Sequence, residues 1–272
     1  MDRVGKGLAL ISGGSSGIGK ECARKLIELG YDVVLLARDP TRLEQAKTTL
    51  SKTRQGANIL AEPVDVGDWA SCDAAVSRLI AAHGPPAWII ACAGMAKPGL
   101  FLEQSIADHV AQMQVNYLGT LHLVRAAAPA MARAGEGRIV LVSSGAAFLG
   151  IYGLSAYAPS KFAVRGLAEI LRLELGSHGV SVTLACPPDT DTPQLAEEQK
   201  TRPDFTRRIA SVAGVLTAER VASAIVDAGL KRRFLVGPGW AIWALSTFHS
   251  VVGPFFRLRQ SLMLRHVARK RT

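Results

Sequence analysis

Six short runs dominated by apolar and β-branched residues, each separated from the next by a longer helical pattern, limit what this chain can fold into. They are "GLALIS" (7–12), "DVVLLA" (32–37), "NILAEPV" (58–64), "AWIIA" (87–91), "RIVLVS" (138–143) and "VSVTLAC" (180–186). A strand apolar on both faces needs cover on both, and the intervening helices, the first from about Gly17 to Leu29, can supply it. The pattern predicts an α/β fold, a single doubly wound parallel sheet of Rossmann-like type. No linker rich in Gly, Ser or Pro interrupts residues 1–236. Those residues are expected to form one nucleotide-binding domain, and 237–272 an apolar then basic C-terminal helical extension. In such sheets ligands bind beyond the carboxyl ends of the strands, so the loops there are where chemistry is to be sought.

The glycine turn "SGGSSGIGK" directly follows the first run. Gly13, Gly17 and Gly19 let backbone approach a pyrophosphate, and Ser15, Ser16 and Ile18 lie in the same turn. The helix that follows offers its N-terminal N–H groups to negative charge. A purely structural turn is the alternative, but its place after the first strand of an alternating chain favours a dinucleotide. At the end of the second run, Ala37 stands where an acid would hold a ribose 2′-hydroxyl, followed by Arg38 and, one helical turn on, Arg42. Guanidinium groups suit a 2′-phosphate. NADPH is therefore expected over NADH, two solvated arginines at a helix start being the other reading. Asp39 is expected to cap that helix.

Beyond the fifth run the sequence reads "VSSGAAFLGIYGLSAYAPSKFA" (142–163). Tyr157 and Lys161 are four apart at the start of a helix, so they share a face. A free phenol titrates near pH ~10; a neighbouring ammonium is expected to lower that value and make Tyr157 a usable acid/base. Ser144, at the end of a strand, can meet the same substrate oxygen.

Together these residues resemble the short-chain dehydrogenase/reductase family over about residues 6–236. The resemblance makes Asn116 in "QVNYLG" the fourth member of a tetrad with Ser144, Tyr157 and Lys161, supporting a water-linked proton path to the lysine. It puts the adenine contact on Asp65, beside Val66, in "PVDV". A strand-four motif appears as "ACAG" (91–94): Ala93 and Gly94 match, but Ala91 lacks the amide that braces the sheet. The resemblance further implies a Pro-Gly turn after the sixth run, here Pro187-Pro188, with Thr190 and Thr192 placed to bond the nicotinamide carboxamide. Homodimers or homotetramers through the helices bearing Asn116 and Tyr157 are implied too. The strings "PPDTDTP", "AGMA", "NYLGT" and "SKFAVRGLAE" resemble, within that family, the reductases of 3-ketodihydrosphingosine, a long-chain keto lipid of sphingolipid synthesis. Another hydrophobic ketone (3-oxoacyl, steroid or retinoid), or NADPH binding without turnover, are the competing readings.

Net charge is +10, and six of the positive charges (Arg257, Arg259, Arg265, Arg269, Lys270, Arg271) fall in the acid-free segment 257–272. Charge confined to a tail speaks for what the tail touches and against nucleic-acid binding by the body. The uncharged, aromatic stretch 234–256 precedes it. Pro238 and Pro254 are expected to break that stretch, leaving too short a segment to cross a bilayer and a helix pair suited to an anionic membrane surface. Packing on the domain or across a dimer interface is the alternative. Four widely spaced cysteines with no CxxC pair point to reduced thiols, no metal and a cytoplasmic protein. With the first run beginning by Leu8, no secretory signal is expected.

Overall fold

The computed structural model describes residues 6–269; Lys270 and Arg271 of the basic tail lie outside them. Seven parallel strands form one sheet: β1 (Leu8–Ser12), β2 (Asp32–Ala37), β3 (Ile59–Pro63), β4 (Trp88–Ala91), β5 (Gly137–Val142), β6 (Val180–Ala185) and β9 (Leu235–Val236). Their order across the sheet is β3-β2-β1-β4-β5-β6-β9, reversing direction between β1 and β4. A crevice opens outside the strand ends at such a reversal.

Alternation along the strands divides the core. Leu8 and Leu10 face one layer and Ala9 and Ile11 the other, because successive side chains point to opposite faces. The first layer is closed by α3 (Trp69–His83), α5 (Gly119–Ala134) and α6 (Tyr157–Gly176), through Val76, Leu123 and Val164. The second is closed by α1 (Gly17–Glu28), α2 (Pro40–Leu50) and α9 (Ala218–Leu230), through Leu26, Leu43 and Ile225. Asp39 caps α2 by accepting from the N–H groups of Thr41 (2.9 Å) and Arg42 (3.1 Å).

Smaller elements sit over the carboxyl edge: α4 (Ile106–Met113), β7 (Thr190–Asp191), α7 (Pro193–Thr201), α8 (Asp204–Ala210) and β8 (Leu216–Thr217). The chain ends in α10 (Trp240–Arg269), which corrects one expectation. Its break lies at Phe248 (φ −115°, ψ 25°), and Pro254 sits inside the helix beyond it. The first segment packs on the domain: Ile242 is buried and joins the first core layer, with its Cδ1 against Gly145. Farther on, Gln260 donates to the Gly150 carbonyl (3.0 Å) and accepts from the Tyr152 N–H (3.3 Å). Tertiary anchors on both sides of the bend explain why the helix turns at Phe248 and not at the proline. No helix among the described residues is long and apolar enough to cross a membrane.

Candidate active site

The glycine turn between β1 and α1 is built for close approach. Gly17 holds φ +51°, and a Cβ there would stand 2.9 Å from Thr192 Cγ2. On Gly19 a Cβ would fall 2.4 Å from the Gly13 carbonyl oxygen. Only glycine permits this cradle. Ser16, at the N-cap of α1, makes no side-chain cap bond, so the first-turn N–H groups stay open to an anionic ligand. These features fit a dinucleotide pyrophosphate. Arg38 and Arg42 lie on the exposed surface beyond β2, Arg42 with its Nε 3.5 Å from Asp39. Asp65 turns its carboxylate to the Gly67 N–H (2.9 Å). Val66 is buried, its carbonyl 2.8 Å from His122 Nδ1.

The strand-four departure has a local remedy. Ser12 Oγ, at the end of β1, accepts from the N–H groups of Cys92 and Ala93, each at 3.1 Å. A hydroxyl on the neighbouring strand thus braces backbone that Ala91 cannot.

A cavity of about 500 Å³ opens beside this cradle, lined among others by Gly13, Gly19, Gly94, Ser144, Tyr157 and Lys161. Ser16, Gly17, Ile18, Thr190 and Thr192 line it too, whereas Ser15, Arg38, Arg42, Asp65, Val66, Ala93 and Asn116 do not. Lys161 Nζ lies 5.6 Å from the centre of the Tyr157 ring and donates to the Val142 carbonyl (3.1 Å). Burial lowers its pKa to about 8, against the opposing influence of the Cys92 and Glu198 side chains.

Asn116 lies in a π-helical turn, Gln114–Leu118, joining α4 to α5; such turns recur at functional sites. Its Oδ1 accepts from the Met95 N–H (2.8 Å), and its Nδ2 donates to the Met95 carbonyl (3.0 Å) and Ser160 Oγ (2.9 Å). A Cβ on Gly94 would lie 3.2 Å from Asn116 Oδ1 and 3.6 Å from Lys161 Nζ, so the two side chains converge on that glycine.

One expectation is corrected. The Tyr157 phenol is not made more acidic. Burial pushes its pKa well above the usual value, Glu198 pushes the same way, and the Ser144 hydroxyl opposes them. The groups acting most strongly on the phenol do not include Lys161. Thr190 and Thr192, expected to face the nicotinamide, also make bonds within their own loop. Thr190 Oγ1 donates to the Pro188 carbonyl (2.9 Å), and Thr192 Oγ1 donates to the Thr190 carbonyl (3.1 Å) while accepting from the Leu195 N–H (3.2 Å) as N-cap of α7. They stiffen the loop against the glycine turn.

Sequence reasoning passed over part of the cavity wall: Gln194, Glu198 and Arg202, with Asp189, and the face of α10 carrying Trp240, Leu245 and Phe256. The four-residue spacing of Gln194, Glu198 and Arg202, which puts them on one helical stripe, was the signal available.

Comparison with known proteins agrees with this architecture. Residues 7–203 match the family described as short chain dehydrogenase. A 3-dehydrosphinganine reductase of Danio rerio is 37% identical over 256 residues, covering 93% of this chain and 77% of that protein. One from Arabidopsis thaliana is 38% identical over 226 residues, covering 82% and 68%. Among solved structures, a short-chain dehydrogenase from Sphingobium yanoikuyae in complex with NADPH superposes with a TM-score of 0.78 at 27% identity, covering 94% of this chain and 95% of that one. A short chain dehydrogenase/reductase from Burkholderia phymatum in complex with NAD gives 0.80 at 28%, covering 95% and 97%. With the sheet order, the glycine cradle and these matches in hand, the chain belongs to the short-chain dehydrogenase/reductase family of oxidoreductases.

Proposed function

We propose that this chain reduces the ketone of 3-ketodihydrosphingosine to give sphinganine, using NADPH. One observation carries the reading. A single cavity runs from the glycine cradle, past Ser144, Tyr157 and Lys161, to an apolar wall of Trp240, Leu245, Val252 and Phe256, which suits nucleotide, carbonyl and alkyl chain in turn. Relatives named for this reaction match along most of the chain.

When bound, NADPH supplies a hydride to the carbonyl carbon. Tyr157 donates its hydroxyl proton to the carbonyl oxygen, and Ser144 donates a hydrogen bond to the same atom. Lys161 holds the nucleotide ribose and, while charged, stabilises the phenolate left behind. Asn116 fixes the loop that Lys161 faces. Arg38 and Arg42 take the 2′-phosphate, Asp65 with Val66 the adenine, and the Thr190–Thr192 loop walls the nicotinamide. The C-terminal helix would rest on a membrane surface: Trp240 is 76% exposed, Trp243 57% and Phe255 71%, just ahead of Arg257 and Arg259. A cytoplasmic, peripheral position gives access to a lipid ketone. Exposed Ile106 and Val110 on α4, with Ile170 and Leu173 on α6, are consistent with a homodimer or homotetramer.

Purified protein given the keto base in mixed micelles should consume NADPH in preference to NADH. Tyr157→Phe should abolish turnover while nucleotide binding persists. Equal turnover of short hydrophilic ketones would overturn the lipid assignment.

A further inference from the structure

The substrate proposed above is an α-amino ketone, and one charged group in the cavity has no part in handling the ketone itself. Arg202, 6% exposed, donates to both carboxylate oxygens of Asp189 and, through Nη2, to Glu198 Oε2 at 2.8 Å. Gln194 Nε2 holds Glu198 Oε1 at 2.8 Å. All four side chains line the cavity. One guanidinium against two carboxylates leaves a negative charge in excess, and largely buried charge is costly unless a counter-charge joins it. Lys161 makes no ion pair with either acid among the described residues: its ammonium donates to the Val142 carbonyl, and Glu198 acts on it only from longer range. The Nε–H of Arg202 also lacks a partner. The group is therefore short of one cation and one acceptor, which a ligand carrying an ammonium and a neighbouring hydroxyl would bring together.

Its position matters as much as its charge. Among the charged side chains acting on Tyr157, Glu198 is the strongest, and Asp189 outweighs Arg202. The excess negative charge is thus felt at the proton donor. In an α-amino ketone the ammonium sits on the carbon next to the carbonyl, so a substrate whose oxygen meets Tyr157 and Ser144 carries its cation into this neighbourhood.

Resting on the reading above, we propose that Glu198, braced by Gln194 and Arg202 and assisted by Asp189, binds the ammonium of an α-amino ketone and sets a preference for amino ketones over plain ketones of equal chain length. The bound cation also offsets the charge that makes the phenol a reluctant donor, so the donor strengthens when the amino substrate is in place.

The test compares 3-ketosphinganine with 1-hydroxyoctadecan-3-one, the same chain with hydrogen in place of the amine, using wild type and Glu198→Gln with NADPH. A charged hydrogen bond lost from a buried site corresponds to a preference of about 10- to 100-fold in kcat/KM, carried by a lower KM and a higher kcat for the amino ketone. Glu198→Gln should collapse that ratio towards unity. Should the variant fold poorly, judged by melting and NADPH binding, the wild-type ratio and that of Asp189→Asn decide. Wild-type discrimination that survives intact in the variants overturns the role of Glu198. Equal reduction of both ketones by the wild type overturns the amine site and leaves a long-chain ketone reductase standing. Reduction of neither overturns both proposals.

Discussion

Asn116 offers a stringent test of how the site is assembled, because three hydrogen bonds of one fully buried side chain join two otherwise separate pieces. Through Met95 it holds the loop after β4, and through Ser160 it holds the first turn of α6, where Ser160 in turn donates to the Tyr157 carbonyl at 2.7 Å. Asn116→Ala leaves the Met95 N–H and carbonyl without partners, while Ser160 keeps its bond to Tyr157. Each of these two part-buried groups, once orphaned, costs up to about 1–3 kcal/mol, so the substitution should cost about 2–6 kcal/mol. For a domain of this size, at about 2–4 °C per kcal/mol, that corresponds to a fall in Tm of roughly 4–24 °C. Asn116→Asp sharpens the test. Its second oxygen would face the Met95 carbonyl with no proton to offer, so a buried carboxylate is disfavoured and its pKa in the folded state rises. A group with a raised folded pKa binds more protons folded than unfolded, so stability falls as pH rises through that range. The deficit of Asn116→Asp should therefore be greatest at neutral pH and shrink in mild acid, followed by thermal melting with NADPH turnover in parallel. An Asn116→Ala protein melting within about 2 °C of wild type, or an Asp variant whose deficit grows in acid, would refute the account.

Other consequences follow from the same geometry. Burial brings the Lys161 pKa from 10.5 to about 8, so the cation beside Tyr157 is present below pH 8 and lost above it; reduction should decline along an alkaline limb near that value, and Lys161→Arg should move the limb upward. Because the unfolded chain holds this proton more tightly, the same residue should make stability rise with pH between 8 and 10.5, measurable by denaturant titration. Gly19→Ala would press a methyl on the Gly13 carbonyl and should raise the NADPH Kd by at least about tenfold, ~1.4 kcal/mol. By contrast Gly166→Ala, with open space around it in α6, should leave Kd alone and stabilise by up to ~1 kcal/mol. Ile242→Ala, removing a buried contact of α10, should cost about 2–5 kcal/mol and raise KM for long-chain ketones more than for short ones.

Much of the scaffold was legible because its causes are local. Runs such as 32–37 are apolar on both faces wherever they sit, and Asp39 caps its helix from within the same few residues. What eluded sequence reading depends on distant partners. Pro254 reports a missing donor but not where a helix will bend; Ile242 under Gly145 and Gln260 on the 150–152 loop decide that. The bonds that Thr190 and Thr192 make within their own loop could not be read from their spacing, because they depend on how that loop folds. Glu198 is hardest of all. In "QLAEEQKTR" only the four-residue spacing to Gln194 and Arg202 separates it from the exposed Glu197, and the fold alone brings Asp189 and the cavity to that side of the helix.

The revised acidity of Tyr157 has a consequence for direction. A phenol kept protonated by burial and by Glu198 cannot serve well as a base, which oxidation of an alcohol would require at the start. Reduction asks the opposite: the proton must be in place beforehand and leave only when negative charge appears on the substrate oxygen. An alkoxide is far more basic than a phenolate, so even a weakened phenol gives its proton up once that charge develops. Lys161, largely cationic near neutrality, and Ser144 then stabilise the charge that passes to Tyr157. Burial thus keeps the proton on Tyr157 in the resting site, the state from which ketone reduction starts.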